Sequence, residues 1–156
     1  MKLGKVVLVG HSFGGRIASH IASLYPEDIL RLVVISPSGV NHSKWWYPLV
    51  GRIPKRLKSV FRPLAVRMED KDVRQAGKLR LMIKNILKED FEPVFKRINA
   101  PTLIIWGKND FELPSSDGYK IKRLIEKSTL KIIPGSHFSF VDNPKLVASL
   151  INSFIR

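Results

Sequence analysis

The stretch Lys5-Val6-Val7-Leu8-Val9-Gly10-His11-Ser12-Phe13-Gly14-Gly15 decides the fold. Lys5–Val9 is a short, β-branched apolar run that ends at glycine, the pattern of a strand buried on both faces. Directly after it the period changes. Ile17, Ile21 and Leu24, with Gly14, Ala18 and Ala22, share one side of a helix, while Arg16, Ser19, His20 and Ser23 share the other, and Pro26 ends it. Between strand and helix, Gly10-His11-Ser12-Phe13-Gly14 fits the pattern G-x-S-x-G. Such a turn strains the backbone of its serine and pushes the hydroxyl out at the end of the sheet. The glycines two residues either side are expected to be required because a Cβ there would meet neighbouring backbone. The helix that follows aims its first amides at the same point, which favours negative charge developing there.

Outward from this turn the alternation repeats. Leu32–Ile35 reads as a second strand, Thr102–Trp106 as a third and Leu130–Ile133 as a fourth. A helix capped by Ser115 or Ser116 carries Ile121, Leu124 and Ile125 inward. The last helix has Asn143 as cap, Pro144 in its first turn and a stripe of Leu146, Val147, Leu150, Ile151 and Phe154. Apolar strands alternating with helices predict an α/β fold, with a parallel sheet of about four strands flanked by helices. Residues 1–39 and 98–156 form its core. Residues 40–97 contain no strand pattern and read as a helical insert over the strand ends, with Leu79, Met82, Ile83, Ile86 and Leu87 in one stripe.

A serine hydroxyl attacks only when a base takes its proton and a third group orients that base. Of the four histidines, His20 falls on the polar helix face, His42 opens the insert, and His11 packs beside the serine. His137, in Pro134-Gly135-Ser136-His137-Phe138, follows the fourth strand at the same sheet edge as Ser12. Asp110, four residues past Trp106, follows the third strand there; Glu112 and Asp142 are weaker candidates, and Asp142 is expected to support the start of the last helix. The order Ser12, Asp110, His137, each after a different parallel strand, matches the edge where such sheets bind ligands.

With VVLVGHSFGG, APTLIIWGKND and IIPGSHFSFVDNPKLVASLINSFI in this order, the chain resembles the α/β-hydrolase superfamily. The resemblance implies Ser12 as nucleophile, His137 as general base and Asp110 as its orienting carboxylate. It implies Phe13 N–H as an oxyanion donor, with His11 and Trp106 at the substrate, and residues 40–97 as a cap. A serine nucleophile suits esters, thioesters, amides or certain carbon–carbon bonds. The superfamily sheet has eight strands with the elbow after the fifth. A truncated core is therefore expected, lacking the second oxyanion donor and leaving the edge at Lys5–Val9 open to self-association.

Composition limits the alternatives. With no cysteine among 156 residues, disulfide scaffolds, thiolate metal sites and cysteine nucleophiles are excluded. The histidines lack ligand spacing and no phosphate-loop pattern occurs, so neither metal nor cofactor is expected. The opening run is too short for a signal-peptide core and no stretch is long enough to span a membrane, which predicts a cytoplasmic chain, peripheral to membranes at most. Net charge is +14, and residues 44–97 hold 15 basic against six acidic residues. Lys44-Trp45-Trp46-Tyr47, followed by Arg52, Lys55, Arg56, Lys58, Arg62 and Arg67, suits an anionic lipid or membrane surface, and no specific nucleic-acid motif appears. Two functions compete: a serine hydrolase acting on a small acyl substrate, and a non-catalytic fragment or half-subunit that needs a complementing chain.

Overall fold

The computed structural model describes residues 4–40 and 90–156. The elements run β1 (Val6–His11), α1 (Ser12–Leu24), β2 (Ile29–Ile35), α2 (Glu92–Lys96), β3 (Thr102–Gly107), α3 (Ser116–Leu124), β4 (Ser128–Ile133), α4 (Ser139–Asp142) and α5 (Pro144–Ile155). The four strands form one sheet in the order β1-β2-β3-β4, and every neighbouring pair is parallel. The register places His11 beside Ile35, and Gly107 beside Ile133, so the carboxyl ends of the strands lie along one edge.

Alternate strand residues feed two cores, as a sheet covered on both faces requires. On one face Leu32, Val34, Ile104 and Trp106 pack with Ala18 and Ala22 of α1, Val94 and Phe95 of α2, and Ile121 and Ile125 at α3. On the other, Val33, Ile35, Leu103, Ile105 and Ile133 meet Val147 of α5, with Leu150, Ile151 and Phe154 packed alongside. Leu146 falls outside that stripe and is exposed.

Three expectations change. Residues 90–97, assigned to the insert, contribute Phe91, Val94 and Phe95 to the core and belong to the compact unit formed by residues 1–40 and 90–156. The remainder of the insert, including its apolar stripe and the Lys44–Arg67 basic and aromatic stretch, lies outside the described residues.

The second change is the roll of α1. Its buried side is Gly15, Arg16, Ala18, Ser19 and Ala22, while Ile17, Ile21 and Leu24 face outward. Close approach explains this: a Cβ on Gly15 would stand 3.0 Å from Pro37 Cβ and 3.1 Å from Gly10 O, so the small-residue strip must lie on the sheet. Ser19 is satisfied there by donating its hydroxyl to Gly15 O at 2.8 Å, and the Arg16 guanidinium lies 4.2 Å from the centre of the Phe91 ring.

The third concerns Asn143. It precedes α5 as expected, but its side chain forms no cap bond and instead donates to Pro134 O at 2.8 Å. Strand β1 pairs only with β2 among the described residues, and Val9 is 54% exposed.

Candidate active site

Strand β1 passes into α1 with no residue between them, and Ser12 takes φ +51° at the junction. A non-glycine residue in that region costs about 1–3 kcal/mol and persists only where its surroundings enforce it. The enforcement is visible at Gly10, where a Cβ would stand 2.5 Å from Gly14 O and 2.7 Å from Gly15 Cα. Gly14 itself has open space around its Cβ position, so the second steric demand falls on Gly15 rather than Gly14. The loop after β2 adds a tie, with Ser38 N–H donating to Ser12 O at 3.3 Å.

Asp110 and His137 meet at the same edge. His137 Nδ1 lies 2.8 Å from Asp110 Oδ2, with both side chains almost wholly buried. Asp110 Oδ1 accepts the backbone N–H groups of Glu112 at 3.0 Å and Leu113 at 2.8 Å. The aspartate thus makes its turn and orients the imidazole at once, one oxygen for each task. Because a carboxylate only accepts, Nδ1 carries the proton, and a neutral His137 presents its lone pair at Nε2. Glu112 Oε2 lies 3.7 Å from Nε2. No hydrogen bond joins Ser12 to His137 among the described residues; such contacts often close only around substrate.

Backbone contacts align the two loops. Lys108 N–H donates to Ile133 O at 2.8 Å and Asn109 N–H to Gly135 O at 2.9 Å. A Cβ on Gly107 would collide with Ser136 O and stand 2.7 Å from Gly135 O. Gly135, at φ +127°, makes the turn that delivers His137. Asp142 accepts both the N–H and the hydroxyl of Ser136 through Oδ2, at 2.6 and 2.7 Å. It therefore serves the histidine turn rather than the start of α5. That clasp was missed from sequence; Gly135-Ser136 before a downstream acid was its only signal.

The two residues expected at the substrate make the following contacts within the chain. Trp106 is fully buried under α3, where a Cβ on Gly118 would stand 2.9 Å from its ring, and its indole N–H donates to Leu113 O at 3.0 Å. Its position on β3 turns it into the core instead of toward the strand ends. His11 packs its ring 4.7 Å from His137, 5.3 Å from Phe138 and 4.9 Å from Phe140. Its Nε2–H donates to His137 O at 3.0 Å, so His11 supports the turn that carries the imidazole. Burial pushes its pKa below the ordinary 6.5, against the opposing pull of that carbonyl. The Phe13 amide lies in the first turn of α1, beside Ser12. Among the described residues, no group of three or more histidines and acids could hold a metal ion, and no helix is long and apolar enough to cross a membrane.

A parallel sheet, a strained serine between strand and helix, and a buried Asp–His pair at the same edge define a class of fold, and in it the chain is similar to proteins of the α/β-hydrolase superfamily. The alpha/beta hydrolase fold family matches residues 1–69. Over its whole length the chain is 27% identical to a Haemophilus influenzae protein assigned as an esterase/lipase, covering 62% of it. It is 26% identical to the sn-1-specific diacylglycerol lipase ABHD11 of Danio rerio, again over its whole length and covering 59% of that protein. Among crystal structures, a bacterial membrane phospholipase A superposes with a TM-score of 0.70 at 26% identity, over 97% of this chain and 56% of the other. The chain thus spans less than two thirds of these proteins.

Proposed function

We propose that the chain is a serine esterase acting on carboxylic esters, with Ser12, His137 and Asp110 as its triad. The observation that carries this reading is the buried 2.8 Å contact of His137 with Asp110 at the sheet edge where Ser12 takes φ +51°. In this reaction His137 Nε2 takes the Ser12 proton as Oγ attacks the ester carbonyl carbon. Asp110 stabilises the resulting imidazolium, and the Phe13 amide donates to the oxyanion. Collapse breaks the bond to the alcohol, which leaves with the proton from His137. Water then repeats the sequence and releases the acid. The names of the relatives, esterase and lipase, favour acyl esters, including those of lipids, as the substrate class.

The test is labelling of the purified, folded chain with a fluorophosphonate. Labelling at Ser12, absent in Ser12→Ala, is the expected result; a folded chain that does not label overturns independent activity. Among the described residues β1 pairs only with β2 and Val9 is exposed, which favours one further reading. In it, a second polypeptide pairs along β1, and labelling rises on its addition.

A further inference from the structure

We propose that Asp142 is a positioning residue for His137: its carboxylate locks the turn at Pro134–Phe138 so that the imidazole stays aligned with Asp110. The inference rests on His137 being the base of the proposed reaction. Asp142 Oδ2 accepts the backbone N–H of Ser136 at 2.6 Å and its hydroxyl at 2.7 Å. The hydroxyl oxygen in turn accepts the N–H of Phe138 at 3.2 Å. The amides of both residues flanking His137 are therefore tied to one carboxylate oxygen, the first directly and the second through the serine hydroxyl.

The surrounding geometry is built for that approach. Gly135 adopts φ +127°, and a Cβ there would stand 3.0 Å from Asp142 Oδ2. On the opposite side, Gly135 O accepts the N–H of Asn109, the neighbour of Asp110. The turn is held between the Asp142 carboxylate and the loop that carries Asp110. The Asn143 side chain makes no cap bond to α5, and both hydrogen bonds of the Asp142 carboxylate go to Ser136. The two bonds from Ser136, backbone first, hold the Asp142 pKa below its ordinary 3.8, and the acceptor stays charged through the neutral range. One charged oxygen with two donors orders this exposed turn better than a neutral acceptor would.

The experiment compares Asp142→Ala, Asp142→Asn and Asn143→Ala in the full chain. Three readouts are taken: thermal midpoint, the maximal rate and half-saturation of fluorophosphonate labelling, and the NMR signal of His137 Nδ1–H. Asp142→Ala is expected to lower the maximal rate by about tenfold or more, since small misplacements of a reacting group are that costly. Half-saturation stays unchanged, and the Nδ1–H signal broadens or disappears. Asp142→Asn recovers most of both, because its amide oxygen still accepts from Ser136. Asn143→Ala, which removes only the bond to Pro134 O, leaves rate and signal intact. Retention of rate and signal in folded Asp142→Ala overturns the proposal, as does an equal loss in Asn143→Ala. Should the wild-type chain not label at all, the esterase reading falls, and the Nδ1–H signal alone decides whether Asp142 holds His137.

Discussion

Replacing Asp110 by asparagine should disable the base while leaving the fold intact, and the geometry sets the size of the effect. The backbone N–H groups of Glu112 and Leu113 point at Oδ1 and cannot become acceptors. The new amide must therefore keep its oxygen there and turn its NH2 toward His137 Nδ1, 2.8 Å away in the wild type. Imidazole answers by accepting at Nδ1 and carrying its proton on Nε2, the wrong tautomer for a base. To act, it would have to return the proton to Nδ1 against a buried donor. That sacrifices a charge-assisted bond of about 1.5–3 kcal/mol and leaves opposed donors at about 1–3 kcal/mol more. The sum is roughly 3–6 kcal/mol, or about 10²–10⁴ in rate, whose upper end matches the same change in a Ser-His-Asp triad. The assay is fluorophosphonate labelling of Ser12 alongside a melting curve. A folded Asp110→Asn chain that labels within about fivefold of wild type would refute the assignment of the base.

Three further outcomes follow from the same contacts. Gly107→Ala places a Cβ against the carbonyls of Gly135 and Ser136, backbone that cannot yield, so thermal stability should fall by about 1–3 kcal/mol and labelling should be lost with it; an unchanged melt would show that the loops are not in contact. His11 is neutral in the fold because burial lowers its pKa from 6.5, so the unfolded chain binds the extra proton first; stability should be full above about pH 6.5 and fall as pH drops toward the lowered value. His11→Phe should flatten that part of a melting-against-pH curve, and an unchanged slope would count against the burial argument. Ile17, Ile21 and Leu24 face outward and β1 pairs only with β2 among the described residues, so the purified chain should self-associate with concentration, and Ile21→Lys should reduce this in sedimentation velocity.

The strands were legible because a parallel sheet covered on both faces needs unbroken apolar runs, which Val6–Val9, Leu32–Ile35 and Thr102–Trp106 supply, while Leu130–Ile133, at the sheet edge, is interrupted by the exposed Lys131. The roll of α1 was not. Its three large aliphatics suggest a buried stripe by hydrophobicity, yet the distance of closest approach selected Gly15, Ala18 and Ala22 for the sheet, which composition alone does not reveal. Phe91, Val94 and Phe95 were hidden for a related reason: a five-residue helix is too short to show a period, and its charged neighbours gave it the character of the basic insert.

Ser12, Asp110 and His137 could be proposed together from sequence because each follows a strand, and parallel strands bring their carboxyl ends to one edge. What holds the Asp–His pair in line could not. The contacts that do so are mostly backbone to backbone or side chain to backbone: Asn109 N–H to Gly135 O, Ser136 N–H to Asp142, and His11 to the carbonyl of His137. Amides and carbonyls are common to nearly every residue, so they leave no mark in a sequence except where a side chain must be absent or must accept. Gly107, Gly135 and Asp142 are those marks. In the proposed triad they imply that the alignment of His137 depends as much on the two turns that meet behind it as on the carboxylate it touches, so that a substitution remote from Ser12 should weaken the site without removing any of its proposed reacting groups.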